Sequence, residues 1–155
     1  MSGTATLLLR RATLADVPAV VAMLADDVLG ASREVVSDPP LPCYVQAFHA
    51  IDSDPNQLLA VADVDGEVAG CLQLTFIAGL SRQGAKRCVI ESVRVRSDTR
   101  GSGLGRKMVQ WAVEECRARG CQMVQLTTDK QRTDAHRFYE SLGFAATHEG
   151  MKLAL

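Results

Sequence analysis

The stretch that decides the reading runs from Val89 to Lys107: Val89-Ile90-Glu91-Ser92-Val93-Arg94-Val95, then Arg96-Ser97-Asp98-Thr99, then Arg100-Gly101-Ser102-Gly103-Leu104-Gly105-Arg106-Lys107. A β-rich apolar run breaks at a polar turn. A glycine-rich loop follows and opens directly into a segment with helical apolar spacing. A helix leaves its first N–H groups unpaired and is positive at that end. Glycines let a phosphate approach the backbone without a Cβ in the way. Strand, glycine loop and helix in this order read as the seat of a phosphate-bearing cofactor.

The charge around this stretch agrees. Between Arg82 and Lys107 there are eight basic residues against two acids, while the whole chain has a formal net charge of -1. The small total excludes a general nucleic-acid binder and a polybasic membrane anchor. The local excess suits a small polyanion. At 155 residues, with 47% apolar and 23% charged content, the chain reads as one soluble globular domain over residues 1–155. The cysteines at 43, 71, 88, 116 and 121 form no Cys-x-x-Cys, and His49, His136 and His148 are scattered. No metal site is expected, and the pattern suits buried thiols in a reducing cytoplasm. Leu7-Leu8-Leu9 is followed at once by Arg10-Arg11, which is not a signal-peptide pattern, and no apolar run reaches membrane-spanning length.

Working outward, Leu7 to Ala12 reads as a first strand. Thr13 to Asp16 has capping-box character ahead of a helix to about Leu29, with Val17, Val20, Val21, Leu24 and Val28 on one face. Ser37 to Pro42 is a breaker cluster, and Tyr44 to Ile51 a short second helix. Gln57 to Val64 and Glu67 to Ile77 are strands joined by Asp65-Gly66, a type I′ hairpin dipeptide. Cys88 to Val95 is the next strand. Leu104 to Arg119 is a helix with Leu104, Met108, Trp111, Ala112 and Cys116 as its apolar stripe. Gln122 to Thr128 is a strand, Asp134 to Ser141 a helix, and Phe144 to Leu155 one or two final strands. This order predicts an α/β (α+β) fold: a mixed, mainly antiparallel sheet of six to seven strands with helices on both faces.

Several nucleotide loops compete for the glycines. A Walker loop requires lysine and a hydroxyl residue after its last glycine, whereas Arg106 follows Gly105 and Met108 follows Lys107. The dinucleotide fingerprint is Gly-x-Gly-x-x-Gly early in a βαβ unit, whereas here the spacing is Gly-x-Gly-x-Gly past mid-chain. A plain strand-to-helix turn needs no ligand at all. The remaining pattern is Arg-x-x-Gly-x-Gly at Arg100, Gly103 and Gly105. It is followed some 35 residues on by Phe138-Tyr139-Glu140-Ser141-Leu142-Gly143-Phe144.

With both motifs in this order, the chain resembles the GNAT superfamily of acetyl-CoA-dependent N-acetyltransferases over nearly its whole length. The resemblance implies a GNAT-like domain using acetyl-CoA as co-substrate, with no metal. It implies that Val93, Arg94 and Val95 offer backbone hydrogen bonds to the pantetheine arm. The loop Arg100, Gly101, Ser102, Gly103, Leu104, Gly105 and Arg106 would then wrap the pyrophosphate through its N–H groups. On this reading only the backbone is required, so Ser102 and Leu104 are free in type, and Arg100 adds charge and reach. Many members carry asparagine three residues before the small residue of the last helix; Arg132 stands there in this chain.

Acetyl transfer from a thioester to an amine requires deprotonation of the amine, N–H donors for the carbonyl oxygen and a proton for the leaving thiolate. Glu91 is the candidate base, acting through water and sharing strand parity with Val93 and Val95; the competing reading is a strand glutamate paired with an arginine. The resemblance implies Tyr139, at the place of the family's tyrosine on this helix, as the acid facing the thiol, and a phenol is protonated at neutral pH and can donate; the competing reading is a core aromatic on the stripe of Ala135, Phe138 and Leu142. The Val93 N–H is the candidate carbonyl donor. His136 reads as a surface or edge residue, Cys88 as a buried thiol and Trp111 as core. The expected function is acetyl transfer from acetyl-CoA to a primary amine of a small molecule or protein, directly within a ternary complex. The alternatives are a non-catalytic acyl-CoA-binding sensor or regulatory module and another nucleotide-binding enzyme. The Arg82 to Arg87 loop and the Tyr44 to Ile51 helix are expected to shape the acceptor pocket, and a homodimer is implied by the resemblance alone.

Overall fold

The computed structural model describes residues 5–155. Five strands lie side by side in chain order: β1 (Leu7–Arg11), β2 (Gln57–Val64), β3 (Glu67–Ile77), β4 (Arg87–Val95) and β5 (Met123–Leu126). The first four pair antiparallel. The β2–β3 hairpin turns on Asp65 and Gly66, both at positive φ (53° and 89°), as a type I′ turn requires. β4 reaches β5 through α4 (Leu104–Ala118), and the Gln122 N–H donates to the Lys86 carbonyl at 2.9 Å. The two strands therefore start together and run parallel, which makes the sheet mixed.

Each face of the sheet is covered by a different helix. α1 (Val17–Ala25) buries Val17, Val20, Val21 and Met23 against Val61 and Cys71, with Phe48 of α2 (Pro42–Ser53) in the same cluster. Side chains alternate across a strand, so Gly70, Leu72, Leu74 and Phe76 face the other way, toward α4. That helix buries Leu104, Met108, Val109, Ala112 and Cys116. A Cβ at Gly70 would lie 2.6 Å from the Met108 sulfur, so glycine is what lets α4 come this close to β3. At the start of α1, Asp16 is buried and closes the capping box with Thr13, while both its oxygens accept from Arg10 at 2.7 and 3.1 Å. That hydrogen bonding holds its carboxyl below the usual carboxylate range.

The chain divides into two compact units, one ending at Gln125 and the other Leu126–Leu155. In the second, α5 (Thr133–Glu140) half-buries Ala135, Phe138 and Tyr139. The Tyr139 ring meets Phe138 and Phe144 edge-on, at centroid distances of 5.1 and 5.8 Å.

Three expectations are corrected. The sheet has five strands, not six to seven, because residues 144–155 form none. Their alternating Met151, Leu153 and Leu155 are exposed, so the period-two pattern marks no buried face. The first helix stops at Ala25 rather than Leu29: Asp26 leaves helical geometry at ψ 51°, and Val28 is 93% exposed. The chain then folds back so tightly that a Cβ at Gly30 would sit 1.9 Å from the Leu24 carbonyl oxygen. Leu104, read as free in type, is buried and anchors the glycine loop to the core.

Candidate active site

The centre of β4 is distorted. Gln73 stands opposite Glu91 and Cys71 opposite Arg94, so Ser92 and Val93 together oppose Leu72. This two-against-one count is a β-bulge, and Ser92 accommodates it at φ 55°. The Cys71 thiol points at the Ser92 carbonyl, 3.6 Å away, and burial pushes that thiol up to about 12. The bulge corrects the parity expected along β4. Glu91 and Arg94, not Glu91, Val93 and Val95, share the face turned toward α1. Arg94 lies half-buried there, donating to the Val93 carbonyl at 2.9 Å and facing Asp27 at 3.7 Å.

The outer edge of β4 is open where the bulge begins. β5 is four residues long, with Gln122 set against Lys86. A parallel partner of that length reaches no further than about Ile90. The edge from Glu91 to Val95 therefore lies beyond the end of β5; its Val93 and Val95 carbonyls accept from Arg94 and Arg100, and backbone N–H groups at such an edge are what an extended ligand can pair with.

The open edge leads into the loop. Thr99 and Ser102 close a tight turn, the Ser102 hydroxyl donating to the Thr99 carbonyl at 2.6 Å. Gly101 and Gly103 stand at φ 79° and 82°, and a Cβ at either would meet nothing within 4 Å. The space beside them is open, and Gly103 caps α4 directly. The first-turn N–H groups of Leu104 and Gly105 lie at the positive end of the dipole of the 15-residue α4. Arg100 does not extend outward: it donates to the Val95 carbonyl at 3.2 Å and to the Asp26 carbonyl at 3.1 Å, stapling the loop to the end of α1.

Glu91 is exposed and stands opposite Gln73 of β3. Tyr139 is half-buried between two aromatic rings within its own unit. Arg132 stands at the N-cap position of α5, and the His136 Nε2–H donates to the Asp129 carbonyl at 3.3 Å. Cys88 is buried as expected, whereas Trp111 is only half-buried. The sequence reading missed Asp26 and Asp27, which hold Arg100 and Arg94. Both pairs span more than 65 residues, and no local spacing announces them.

The profile of the acetyltransferase (GNAT) family matches residues 22–144. The aminoalkylphosphonate N-acetyltransferase of Salmonella typhimurium is 30% identical over 140 residues, spanning 90% of this chain and 86% of that protein. An L-methionine sulfoximine/L-methionine sulfone acetyltransferase of Pseudomonas aeruginosa is 28% identical over 88% of this chain and 78% of its own length. Among solved structures, a transcriptional regulator from Bacillus halodurans C-125 superposes with a TM-score of 0.94 at 49% identity, covering 97% of this chain and all 100% of the other. A bulged strand opening into a positive-φ glycine loop, together with these relationships, establishes that the chain belongs to the acetyltransferase (GNAT) family.

Proposed function

We propose that the protein transfers the acetyl group of acetyl-CoA to a primary amine within a ternary complex. The observation that carries this reading is the continuity of the open β4 edge with the glycine loop. An extended arm can hydrogen-bond along Val93, Arg94 and Val95 while its pyrophosphate meets the N–H groups from Gly101 to Arg106. The loop fits such a group, since the space that Cβ atoms would fill at Gly101 and Gly103 is empty.

The thioester supplies an activated acyl carbon. Glu91 takes the proton of the ammonium through a water, leaving a neutral amine. The nitrogen attacks the carbonyl carbon, and the Val93 N–H in the bulge steadies the oxygen as it gains charge. Collapse breaks the C–S bond as the C–N bond persists; the Tyr139 hydroxyl gives its proton to the leaving thiolate, the acylated nitrogen releases its remaining excess proton to water to leave the neutral amide, and the tyrosine is re-protonated from solvent. A single small hydrophilic acceptor is consistent with the names of the curated relatives.

The name of the Bacillus halodurans neighbour supports a second reading, a regulatory module that binds acyl-CoA without turnover. Calorimetric titration with acetyl-CoA, with ATP and NAD as controls, tests both. Saturable one-site binding of acetyl-CoA alone is expected. Thiol release on adding amines then separates enzyme from sensor. Absence of binding to folded protein overturns both readings.

A further inference from the structure

A cavity of about 290 Å³ opens at the start of β4, at the opposite end from the glycine loop. Its walls include Arg82, Lys86 and Arg87, with Ser81 and Gln122 as neutral donors, and no carboxylate lines it. Several arginines elsewhere are matched to acids: Arg10 to Asp16 and Asp63, Arg94 to Asp27, Arg96 to Glu67 and Asp98, Arg100 to Asp26. Among the described residues, no ion pair forms at Arg82 or Arg87, and Lys86 donates only to the Arg119 carbonyl, at 3.2 Å. Arg87 is half-buried, with no counter-charge among the described residues.

The turn that delivers Arg82 is strained. α3 (Ser81–Gly84) is a single turn closed by Gly84 N–H to the Leu80 carbonyl at 3.1 Å. Inside it Arg82 and Gln83 stand at φ 54° and 61°, where non-glycine side chains are crowded. Backbone strain of this kind persists where a ligand clamp requires it. The nine residues of β4 span roughly 30 Å at the usual rise, so one phosphate group cannot serve this cavity and the glycine loop together.

We propose that this cavity is an anion subsite that takes a dianionic phosphate-type group. Arg82 and Arg87 supply forked donors, Lys86 a point charge and Gln122 a neutral donor. The group can come from a free phosphate or from the acidic end of the amine acceptor; the second source rests on the acetyltransferase reading, the first does not.

The test is calorimetric titration of inorganic phosphate into the full chain saturated with acetyl-CoA, so that the glycine loop is not available to it. One-site saturable binding is expected, weakened roughly tenfold or more in Arg87→Gln and in Arg82→Gln, with acetyl-CoA affinity and melting temperature unchanged. No saturable phosphate binding to the folded protein, or phosphate binding by both variants as tight as by the wild type, overturns the proposal. The source is read from transfer rates with O-phosphoethanolamine against ethanolamine. A KM raised in Arg87→Gln for the phosphorylated amine alone identifies the acceptor's acidic end; unchanged KM with weakened phosphate binding identifies a free anion. Should acetyl-CoA fail to bind, the phosphate titration on the free protein still decides the subsite.

Discussion

Gly103 combines two demands that a single side chain would violate in different ways. Its φ of 82° disfavours any residue with a Cβ, yet the space around it is open. Gly103→Ala is therefore expected to lose about 1 kcal/mol of stability in urea unfolding, through backbone strain alone. Gly103→Glu adds a carboxylate where phosphates would lie, and acetyl-CoA affinity should fall on the order of 100-fold or more. Retention of wild-type affinity by the glutamate variant would remove the loop from the binding site. Asp16 makes a different prediction. Hydrogen bonds from Arg10 lower its folded pKa, so its stabilisation is complete above the unfolded value of about 3.9 and is lost as pH falls through the lower folded value. Asp16→Asn should cost on the order of 3 kcal/mol at pH 7 and flatten the acid limb of the stability profile. An unchanged acid limb would mean that other carboxylates dominate it.

At the scale of elements, the legible parts were those specified by neighbours in sequence. Gln57–Val64 and Glu67–Ile77 follow from alternation and one hairpin dipeptide, and both ends match the strands observed. Helix α4 follows from its stripe and the glycine before it. The bulge in β4 was not legible, because it is defined by register against β3, some 20 residues away. The tail was expected to return as strand but forms none, and its Met151, Leu153 and Leu155 are exposed. The bulge gives a test that the sequence alone could not suggest. Ser92 stands at φ 55°, a conformation a β-branched residue strongly resists. Ser92→Val should cost about 1–2 kcal/mol and slow transfer, whereas Ser92→Gly should keep both stability and rate near wild type. Equal behaviour of the two variants in thermal melts and in thiol-release assays would show that the left-handed residue is not what opens the edge.

Across the whole molecule, the two residues assigned to proton transfer lie on different sides of the division after Gln125: Glu91 before it and Tyr139 beyond it. Tyr139 is assigned from its place in the Phe138–Phe144 run and Glu91 from its place on β4, but what supports β4 was not legible, because aspartates far away in the chain hold Arg94 and Arg100. Separate placement makes separate signatures. Tyr139→Phe keeps the ring and its edge contacts with Phe138 and Phe144, removing one hydroxyl. Melting temperature and acetyl-CoA affinity should hold, while kcat falls roughly 100-fold. Glu91→Gln also preserves shape, and its loss should appear in the pH profile instead. A general base makes kcat/KM rise as it loses its proton, so the variant should lose that rising limb while Tyr139→Phe retains it. If Tyr139→Phe turns over at the wild-type rate, the tyrosine is a packing residue of α5 and the thiolate finds its proton elsewhere. If Glu91→Gln keeps the rising limb, the amine is deprotonated by solvent or another group, and the exposed carboxylate on β4 serves only to attract the ammonium.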